Sequence, residues 1–332
     1  MKRRDFHSRA GAAAAATWLA ALARPTLAQP ARVPLIGFLN GGSPAPFAHL
    51  VAGFRDGLAQ TGWIEGRSVA IDYRWAEGRY DRLPDQATEL VRRKVDLLAA
   101  TGGENSALAA KQATAQIPIV FAIGGHPVDL GLVASLGRPG GNLTGLTQYT
   151  GPLESKRLGL LRELLPGARN IGVLVNPRYA NAAAQLADLK EGARRLGVGI
   201  VTQAASQEPE LEPAFAAFAR QRIDGLVVGS DPFFNTRRDR VVALAARHGL
   251  ATVYEFIEFA RAGGLMSYGA NLADGYRQIG VYAGRILHGA RPSELQVLQP
   301  TRFEFVINLK TARALGIAIP QSLLLRADEV IE

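Results

Sequence analysis

Apolar and polar positions follow two periods from residue 33 onward, one typical of strands and one typical of helices. Short apolar runs such as 35–39 indicate buried strands, whereas apolar residues recur with helical spacing between Phe47 and Leu58. The first set of elements comprises predicted strands at 35–39, 69–75, 96–101 and 117–123, and predicted helices at 47–58, 85–93, 106–115 and 128–136.

A second set begins after the turn signal Pro139-Gly140-Gly141-Asn142, which is followed by a predicted extended connector at 143–149. A strand plus a long helix are then expected within 264–289, and the last strand and helix at 303–308 and 311–315. The elements between are predicted strands at 171–175, 199–204, 225–229 and 252–254, and predicted helices at 154–165, 182–196, 213–220 and 237–248.

Repeated strand–helix units favour parallel sheets covered by helices on both faces. Two sets of comparable length predict an α/β protein with two Rossmann-like lobes around a cleft. In such folds, ligands bind beyond the carboxyl ends of the strands, where loops meet helix N-termini.

Composition narrows the function classes. The 332 residues include no Cys, which excludes disulfides, iron–sulfur clusters, Cys-ligated zinc and a thiol nucleophile. The five His form no close ligand pair, so we expect no metal and no cofactor. Basic residues are scattered and do not interleave with aromatic residues, which argues against nucleic-acid binding. The net charge falls from +9 to +5 when residues 1–28 are removed.

Residues 1–28 are predicted to be a signal peptide. Lys2, Arg3 and Arg4 precede an uncharged stretch at 10–23, which is shorter than the roughly 20 residues that span a bilayer, and small residues end at Ala28. The Arg-Arg-Asp-Phe start is similar to a twin-arginine signal, and a general secretion signal is the alternative. Either leads out of the cytoplasm, so we expect a free periplasmic protein.

Loops at the carboxyl ends of the predicted strands supply the candidate ligand-binding residues. They could offer backbone amides, side-chain hydrogen bonds and aromatic walls to a small molecule. For each single loop the alternative is ordinary turn chemistry, because Gly, Asn, Ser and Pro also form strand–helix turns. The candidates are Asn40, Ser43, Trp75, Glu77, Thr101, Gly102, Gly103, Glu104, Asn105, Gly125, His126, Asn176, Tyr179, Asp231, Phe233, Tyr254, Glu255 and Tyr268.

Ionisable candidates leave alternatives open. His126 follows two glycines at a predicted helix N-terminus, which would favour a neutral imidazole or a bound anion, unless it is a solvated loop residue. Four acidic residues could form a charged rim or bind an amine: Glu77, Glu104, Asp231 and Glu255. No dinucleotide fingerprint, P-loop or G-x-S-x-G elbow occurs, so no catalytic residue is assigned and no enzyme is expected.

Several stretches resemble a family of ABC-transporter substrate-binding proteins that includes tryptophan- and tyrosine-type binding proteins. The resemblance runs from about Leu35 to Glu332 and includes the Arg-Arg-Asp-Phe start. The matching stretches include Arg138-Pro-Gly-Gly-Asn-Leu-Thr-Gly145, Val173-Leu-Val-Asn-Pro177, Asp231-Pro-Phe-Phe234, Gly263-Gly-Leu-Met-Ser-Tyr268 and Phe305-Val-Ile-Asn-Leu-Lys310.

This resemblance implies a type I periplasmic-binding fold with a hinge. The N-terminal lobe would hold 33–146 plus 269–292, and the C-terminal lobe 147–268 plus 293–332. The chain would cross between lobes near Thr147, Tyr268 and Arg291. A ligand would bind between the lobes and cause them to close. The closed protein, which we expect to be a monomer, would then deliver the ligand to an ABC permease in the inner membrane.

Two departures from the family pattern bear on the cargo. Amino-acid-binding relatives have Thr-Pro where this chain has Glu104-Asn105, and Thr-Asp where it has Gly125-His126. If that Asp binds the α-ammonium group of an amino acid, then His126 in its place leaves the ammonium group without its carboxylate partner. The hypothesis is therefore that His126, opposite Tyr179, Phe233 and Tyr254, suits an aromatic or other organic carboxylate better than an amino acid. Tight binding of a free aromatic amino acid, reversed in a His126→Asp variant, would contradict it.

The residue patterns and the family resemblance leave three candidate functions. The leading one is capture of an amino acid, an aromatic acid or another carboxylate for an importer. A periplasmic sensor that presents its closed form to a receptor kinase would use the same cleft. A secreted α/β enzyme is the third, against which stands the absence of nucleophile, metal and cofactor motifs.

Overall fold

The computed structural model describes residues 32–148 and 153–332, and residues 34–332 form one compact unit. Within this unit lie a five-stranded and a seven-stranded sheet, each the centre of one lobe. The predicted α/β class with parallel sheets in two lobes is confirmed. The predicted signal peptide lies outside the described residues.

The first lobe is built on a parallel sheet with strand order β2-β1-β3-β4-β5. A short 3-10 helix at Tyr80–Arg82 precedes its second α-helix. The elements are β1 (Leu35–Asn40), α1 (Ala48–Gln60), β2 (Ala70–Trp75), α2 (Leu83–Arg92), β3 (Leu97–Thr101), α3 (Glu104–Ala113), β4 (Ile119–Ile123) and β5 (Leu143–Thr147).

The second lobe takes up the chain from residue 153. Its 3-10 helix at Glu208–Glu210 leads directly into the sixth α-helix. The elements are α4 (Leu153–Leu164), β6 (Asn170–Val175), α5 (Ala182–Leu196), β7 (Gly199–Ala204), α6 (Leu211–Arg220), β8 (Gly225–Val228), α7 (Pro232–Thr236), α8 (Arg238–Arg247), β9 (Thr252–Tyr254), α9 (Ile257–Arg261) and β10 (Met266–Ala270).

The chain from residue 272 onward serves both lobes. Its first helix packs on α1 of the first lobe, and its two strands extend the second sheet to the order β12-β11-β10-β9-β8-β6-β7, in which only the β10–β11 pair is antiparallel. The elements are α10 (Leu272–Leu287), a 3-10 helix at Pro292–Glu294, β11 (Phe303–Asn308), α11 (Leu309–Ala314), α12 (Gln321–Leu324) and β12 (Glu329–Ile331).

The central strands of both sheets are buried on both faces, which explains why strands such as β3, β4 and β8 are continuous apolar runs, whereas the edge strands β2 and β7 carry polar residues. In β3, Leu97 and Ala99 pack toward α1 and α10, whereas Leu98 and Ala100 pack toward α2 and α3. Every helix within the described residues is too short or too polar to span a bilayer. The carboxyl ends of the parallel strands in both sheets therefore lead into the loops that form the candidate site.

Two predicted elements are wrong. The expected connector at 143–149 is strand β5, because Leu143–Thr147 pairs in parallel with β4. Residues 128–136 form turns instead of a helix, because Gly131 has φ 66° and the Pro127 carbonyl accepts hydrogen bonds from the amides of Leu132 and Val133. His126 therefore does not lie at a helix N-terminus.

One predicted lobe boundary also comes too early. Beyond Arg291, the Leu298 amide donates to the Gly145 carbonyl, and the Leu295 carbonyl accepts a hydrogen bond from Thr144. The chain therefore stays with the first sheet to Leu298 and crosses to the second lobe between Leu298 and Phe303.

Glycines allow α1 and α10 to approach closely. A Cβ atom on Gly280 would lie 2.1 Å from the Phe54 carbonyl oxygen, and one on Gly57 would lie 2.0 Å from the Arg277 carbonyl oxygen. Real Cβ atoms do not come this close to backbone, so a side chain here would push the helices apart. This contact holds a sequence-distant helix in the first lobe.

We expect Gly280→Ala to destabilise the protein by about 1–3 kcal/mol, because the added methyl group meets backbone that cannot move independently. Gly159→Ala is the matched control, since a Cβ on Gly159 in α4 would have no atom within 4 Å. There the same change should stabilise by up to about 1 kcal/mol through helix propensity. Urea unfolding of both variants tests this, and equal stability would contradict the packing argument.

Candidate functional site

Two adjoining cavities lie between the lobes, where the strand ends of both sheets meet. The inner cavity has a volume of about 50 Å³ and the outer one about 460 Å³, and both are lined by Gly124, Ser230 and Glu255. The inner cavity is further lined by Phe47, Gly102, Gly103, Ala122, Ile123, Gln148, Tyr179, Asp231, Pro232, Asn235, Phe256, Leu272 and Tyr276.

A buried hydrogen-bond network positions the first-lobe side of the inner cavity. Asn40, at the end of β1, donates from Nδ2 to Thr101 Oγ1 at 2.8 Å and to the Tyr276 hydroxyl at 3.0 Å. Its Oδ1 accepts from the Gly42 amide at 2.7 Å. Asn40 thus ties β1, β3 and α10 together and orients the Tyr276 ring in the cavity wall.

Glu104 is a completely buried carboxyl group at the start of α3. Its Oε1 accepts hydrogen bonds from the amides of Gly124 at 3.1 Å and Gly125 at 2.5 Å, and Tyr179 also interacts with the carboxyl group. Its Oε2 is buried without a hydrogen-bond partner. Burial raises the pKa of Glu104 despite these donors. A pair of amides that could bind an anion is therefore occupied by the protein's own carboxylate.

Asp231 lines the inner cavity from the second lobe and caps α7. Its Oδ1 accepts hydrogen bonds from the Phe233 amide at 2.6 Å and the Tyr80 hydroxyl at 2.9 Å, and its Oδ2 accepts from Asn176 at 3.2 Å. Burial raises the pKa of Asp231 to about 7 because desolvation outweighs these donors. Since Tyr80 belongs to the first lobe, this hydrogen bond spans the cleft.

A second network surrounds Arg157, a guanidinium that is 1% exposed and lines the outer cavity. It pairs with Glu154 and donates to the Ser230 hydroxyl at 3.0 Å and the Tyr268 carbonyl at 3.1 Å. Burial raises the pKa of Glu255 to about 7, with Arg157 opposing the shift and Glu154 adding to it. The charge of Arg157 is thus shared between two carboxyl groups.

Direct contacts across the cleft show that the lobes are closed on each other. Asn105 of the first lobe donates to the Arg178 carbonyl at 3.1 Å and accepts from the Ala180 amide at 3.0 Å. At another point of the rim, His49 lies 2.9 Å from Glu258. Together with the Tyr80–Asp231 hydrogen bond, these contacts can form only when the cleft is shut.

The structure brings part of the predicted site together. The predicted residues that line the inner cavity are Gly102, Gly103, Tyr179, Asp231 and Glu255, and His126 lines the outer cavity with its Nδ1 3.3 Å from Asp129. Others do not line either cavity but hold lining residues in place: Asn40, Thr101, Glu104, Asn105, Gly125, Asn176 and Phe233.

Five predicted residues lie elsewhere. Trp75 packs on Phe38 and Phe47 behind the cavity wall, and Ser43 only accepts a backbone hydrogen bond in its turn. Tyr254 stacks on Phe259 at 4.7 Å within the second lobe. The remaining two are the exposed Glu77 and Tyr268, whose ring stacks on Phe303 and whose carbonyl alone reaches the site, by accepting the hydrogen bond from Arg157. The expected aromatic wall opposite His126 is not formed as such, because Tyr254 and Phe233 line neither cavity.

Sequence reasoning missed several lining residues. Ser230 lies two residues after β8, and Gln148 directly follows β5. The positions of strand ends could therefore have identified Ser230, and also Gln148 if β5 had been recognised as a strand. Phe47 and Tyr276 lie on or next to helices, where their spacing indicated only a core face. Arg157 was hidden in an ordinary amphipathic helix pattern.

Metal chemistry finds no support in this part of the chain. Within residues 32–148 and 153–332, no group of three or more His, Asp or Glu side chains is placed to hold a metal ion. What the arrangement offers is a closed, polar and aromatic chamber for a small molecule.

We expect Glu154→Gln to cost about 3 kcal/mol, because it removes the one carboxylate that pairs directly with the buried Arg157 guanidinium and leaves only the more distant Glu255. Glu191→Gln is the matched control: Glu191 and Arg194 have the same i,i+3 spacing on α5 but are solvent-exposed. It should change thermal unfolding little. Similar melting temperatures for the two variants would show that the buried pair has no special role.

Comparison with known proteins identifies the family of this chain. The family described as ABC transporter substrate binding protein matches residues 42–331. A tyrosine-binding protein from Clostridioides difficile (strain R20291) is 30% identical over 269 residues, which cover 80% of this chain and 76% of the relative.

Two solved structures, one with a ligand and one ligand-free and open, superpose differently on this chain. An ABC domain in complex with L-Trp from Streptococcus pneumonia is 27% identical, covers 90% of this chain and 99% of its own, and superposes with a TM-score of 0.82. The ligand-free, open structure of a substrate binding protein with adhesive properties from Clostridium difficile is 26% identical with the same coverage, but its TM-score is 0.63. The closer match to the ligand complex agrees with the contacts across this cleft.

The type I fold is shared even by periplasmic binding proteins that are 12% identical, with TM-scores of 0.57 and 0.55, which shows the fold alone. The predicted fold and family are both confirmed. Because the family model matches most of the length of this chain, the chain belongs to the ABC transporter substrate-binding proteins.

Proposed function

We propose that this protein is the substrate-binding component of an ABC importer, which captures a small organic molecule in the cleft and delivers it to a permease in the inner membrane. One observation carries the proposal: Asp231 both lines the inner cavity and accepts the Tyr80 hydrogen bond across the cleft. Ligand contact and lobe closure therefore involve the same side chain.

Closure is a shift between open and closed populations, driven by interactions that exist only when both lobes reach the ligand. Residues from both sides line the inner cavity, including Tyr276 of the first lobe and Glu255 of the second. A ligand between them adds contacts to the closed form only. The closed rim would then be the surface that the permease recognises.

The cargo range follows from the relatives and from the cleft. Relatives named for tyrosine binding and solved with L-Trp bring free amino acids into consideration. Aromatic and other carboxylates are the class that the sequence favoured. Delivery outside the cytoplasm rests on the signal-like residues 1–28, and periplasmic location is part of this proposal.

A ligand screen tests the proposal. The chain from Gln29 onward, unfolded and refolded to remove bound molecules, is screened by thermal shift against amino acids, amines, aromatic acids, aliphatic carboxylates, purines and sugars. A ligand at 100 times its dissociation constant adds about 2.7 kcal/mol, which raises the melting temperature by several degrees. Trp75, which packs against the cavity residue Phe47, provides an independent fluorescence signal.

We expect one chemical class to stabilise the protein, and loss of the gene to abolish high-affinity uptake of that compound. Uptake that continues unchanged would contradict the importer role and leave ligand sensing as the function. Steady conversion of the bound compound into product would instead point to an enzyme.

Tyr80→Phe should weaken affinity for the ligand found in the screen by about tenfold, because the closed form loses a hydrogen bond to a buried carboxyl group. Tyr73→Phe is the control, since its hydroxyl contacts Arg55 within the first lobe, away from the cleft. Isothermal titration calorimetry of both variants measures the effect. Unchanged affinity in Tyr80→Phe would mean that closure does not depend on this contact.

A further inference from the structure

The two cavities are lined by more carboxyl groups than cationic side chains. Arg157 is the one Lys or Arg side chain among the described residues that line them. Facing it are the carboxyl groups of Asp129, Glu154, Asp188, Asp231 and Glu255. A ligand entering this cleft therefore meets a strongly acidic surrounding.

The groups that would bind a ligand carboxylate are already in use. The guanidinium group of Arg157 already pairs with Glu154 and donates hydrogen bonds to Ser230 and to the Tyr268 carbonyl. The Gly124 and Gly125 amides donate to Glu104 Oε1, so the backbone site that could hold an external anion is filled from inside. A carboxylate in the inner cavity would lie near Asp231 and Glu255 without a cation to offset the repulsion.

Unsatisfied groups in the same place are acceptors. Asn235 lines the inner cavity and is 2% exposed, and its Oδ1 is buried without a hydrogen-bond partner. The Oε2 of Glu104, behind the wall formed by Gly103 and Gly124, is in the same condition. Buried acceptors without donors are costly, and an ammonium group supplies several donors and no acceptor.

Aromatic rings complete the environment. Phe47, Tyr179, Phe256 and Tyr276 line the inner cavity. Their faces attract cations through the ring quadrupole. The inner cavity, at about 50 Å³, has room for a small cationic head group, and the body of the ligand would extend into the adjoining cavity of about 460 Å³.

We propose that the cleft is selective for organic cations, which place a protonated amine at Asp231, Glu255 and Asn235 and need no carboxylate, because Glu104 occupies the anion site from within. The proposal rests on the proposed binding function and names its ligand class. It reverses the preference for organic carboxylates that the sequence alone suggested.

Matched ligand sets test the charge requirement while the rest of the ligand stays constant. Each set holds an amine, the corresponding amino acid and the corresponding acid: tyramine, tyrosine and 3-(4-hydroxyphenyl)propionate; tryptamine, tryptophan and 3-(indol-3-yl)propionate; isoamylamine, leucine and 4-methylpentanoate. Affinities are measured by isothermal titration calorimetry with the refolded protein. In at least one set we expect the amine to bind about tenfold or more tightly than the amino acid, and the acid not to bind.

An amino acid or acid that binds as tightly as its amine would overturn the cation proposal while leaving the binding function intact. Absence of binding in all three sets would also overturn it. If the broad screen then finds a sugar or a purine, the proposed function survives and this inference fails, so the two failures are distinguishable.

Variants test which residues create the preference. Glu255→Gln and Glu104→Gln keep the side-chain shape and remove the charge, so each should lower affinity for the best amine by about tenfold. Glu89→Gln, an exposed change on α2 outside the cleft, should leave it unchanged. Two charge variants are used so that the misfolding of one, which circular dichroism reveals, still leaves the other to test the assignment. Folded variants that keep full amine affinity would refute the assignment.

Discussion

The hydrogen bond between Tyr80 and the buried Asp231 carboxyl group is the contact on which the arrangement of this molecule depends. This hydrogen bond joins the two lobes at Asp231, a residue that lines the inner cavity. The inner cavity is therefore complete only in the closed form. Asp231 is buried between Asn176 and Phe233 of its own lobe and Tyr80 of the first lobe. Opening the cleft would rehydrate the carboxyl group and return its pKa toward the ordinary range.

Burying several carboxyl groups between two lobes requires partners, and the chain supplies them in different ways. Glu154 has Arg157, Glu104 has the amides of Gly124 and Gly125, and Glu255 shares Arg157 at a distance. This partial compensation has a consequence for closure. The closed state carries an electrostatic cost that a ligand of the right charge removes, which links affinity to ligand charge.

Movement of the lobes requires that each is rigid in itself. In the first lobe, the close glycine contact between α1 and α10 fixes a helix that comes from the last third of the chain. In the second, β10 and β11 bring the same third of the chain into the large sheet. Each lobe thus has its own packed core, which is what the proposed closure by rigid-body movement requires.

The sequence by itself determined the local elements and the class of fold, because apolar periodicity records which side of each strand or helix is buried. Loop composition at the strand ends also pointed to Asp231, Glu255 and Tyr179, which line the inner cavity. Strand β5 was missed because its pairing with β4 is a long-range contact that a short segment does not encode. Tertiary structure alone decided which side chains share the cleft: Arg157 and Tyr276 reach it from helices whose patterns resemble any core face. It also decided that Glu104 uses the amides a ligand would need, since charge neighbours depend on how distant segments pack.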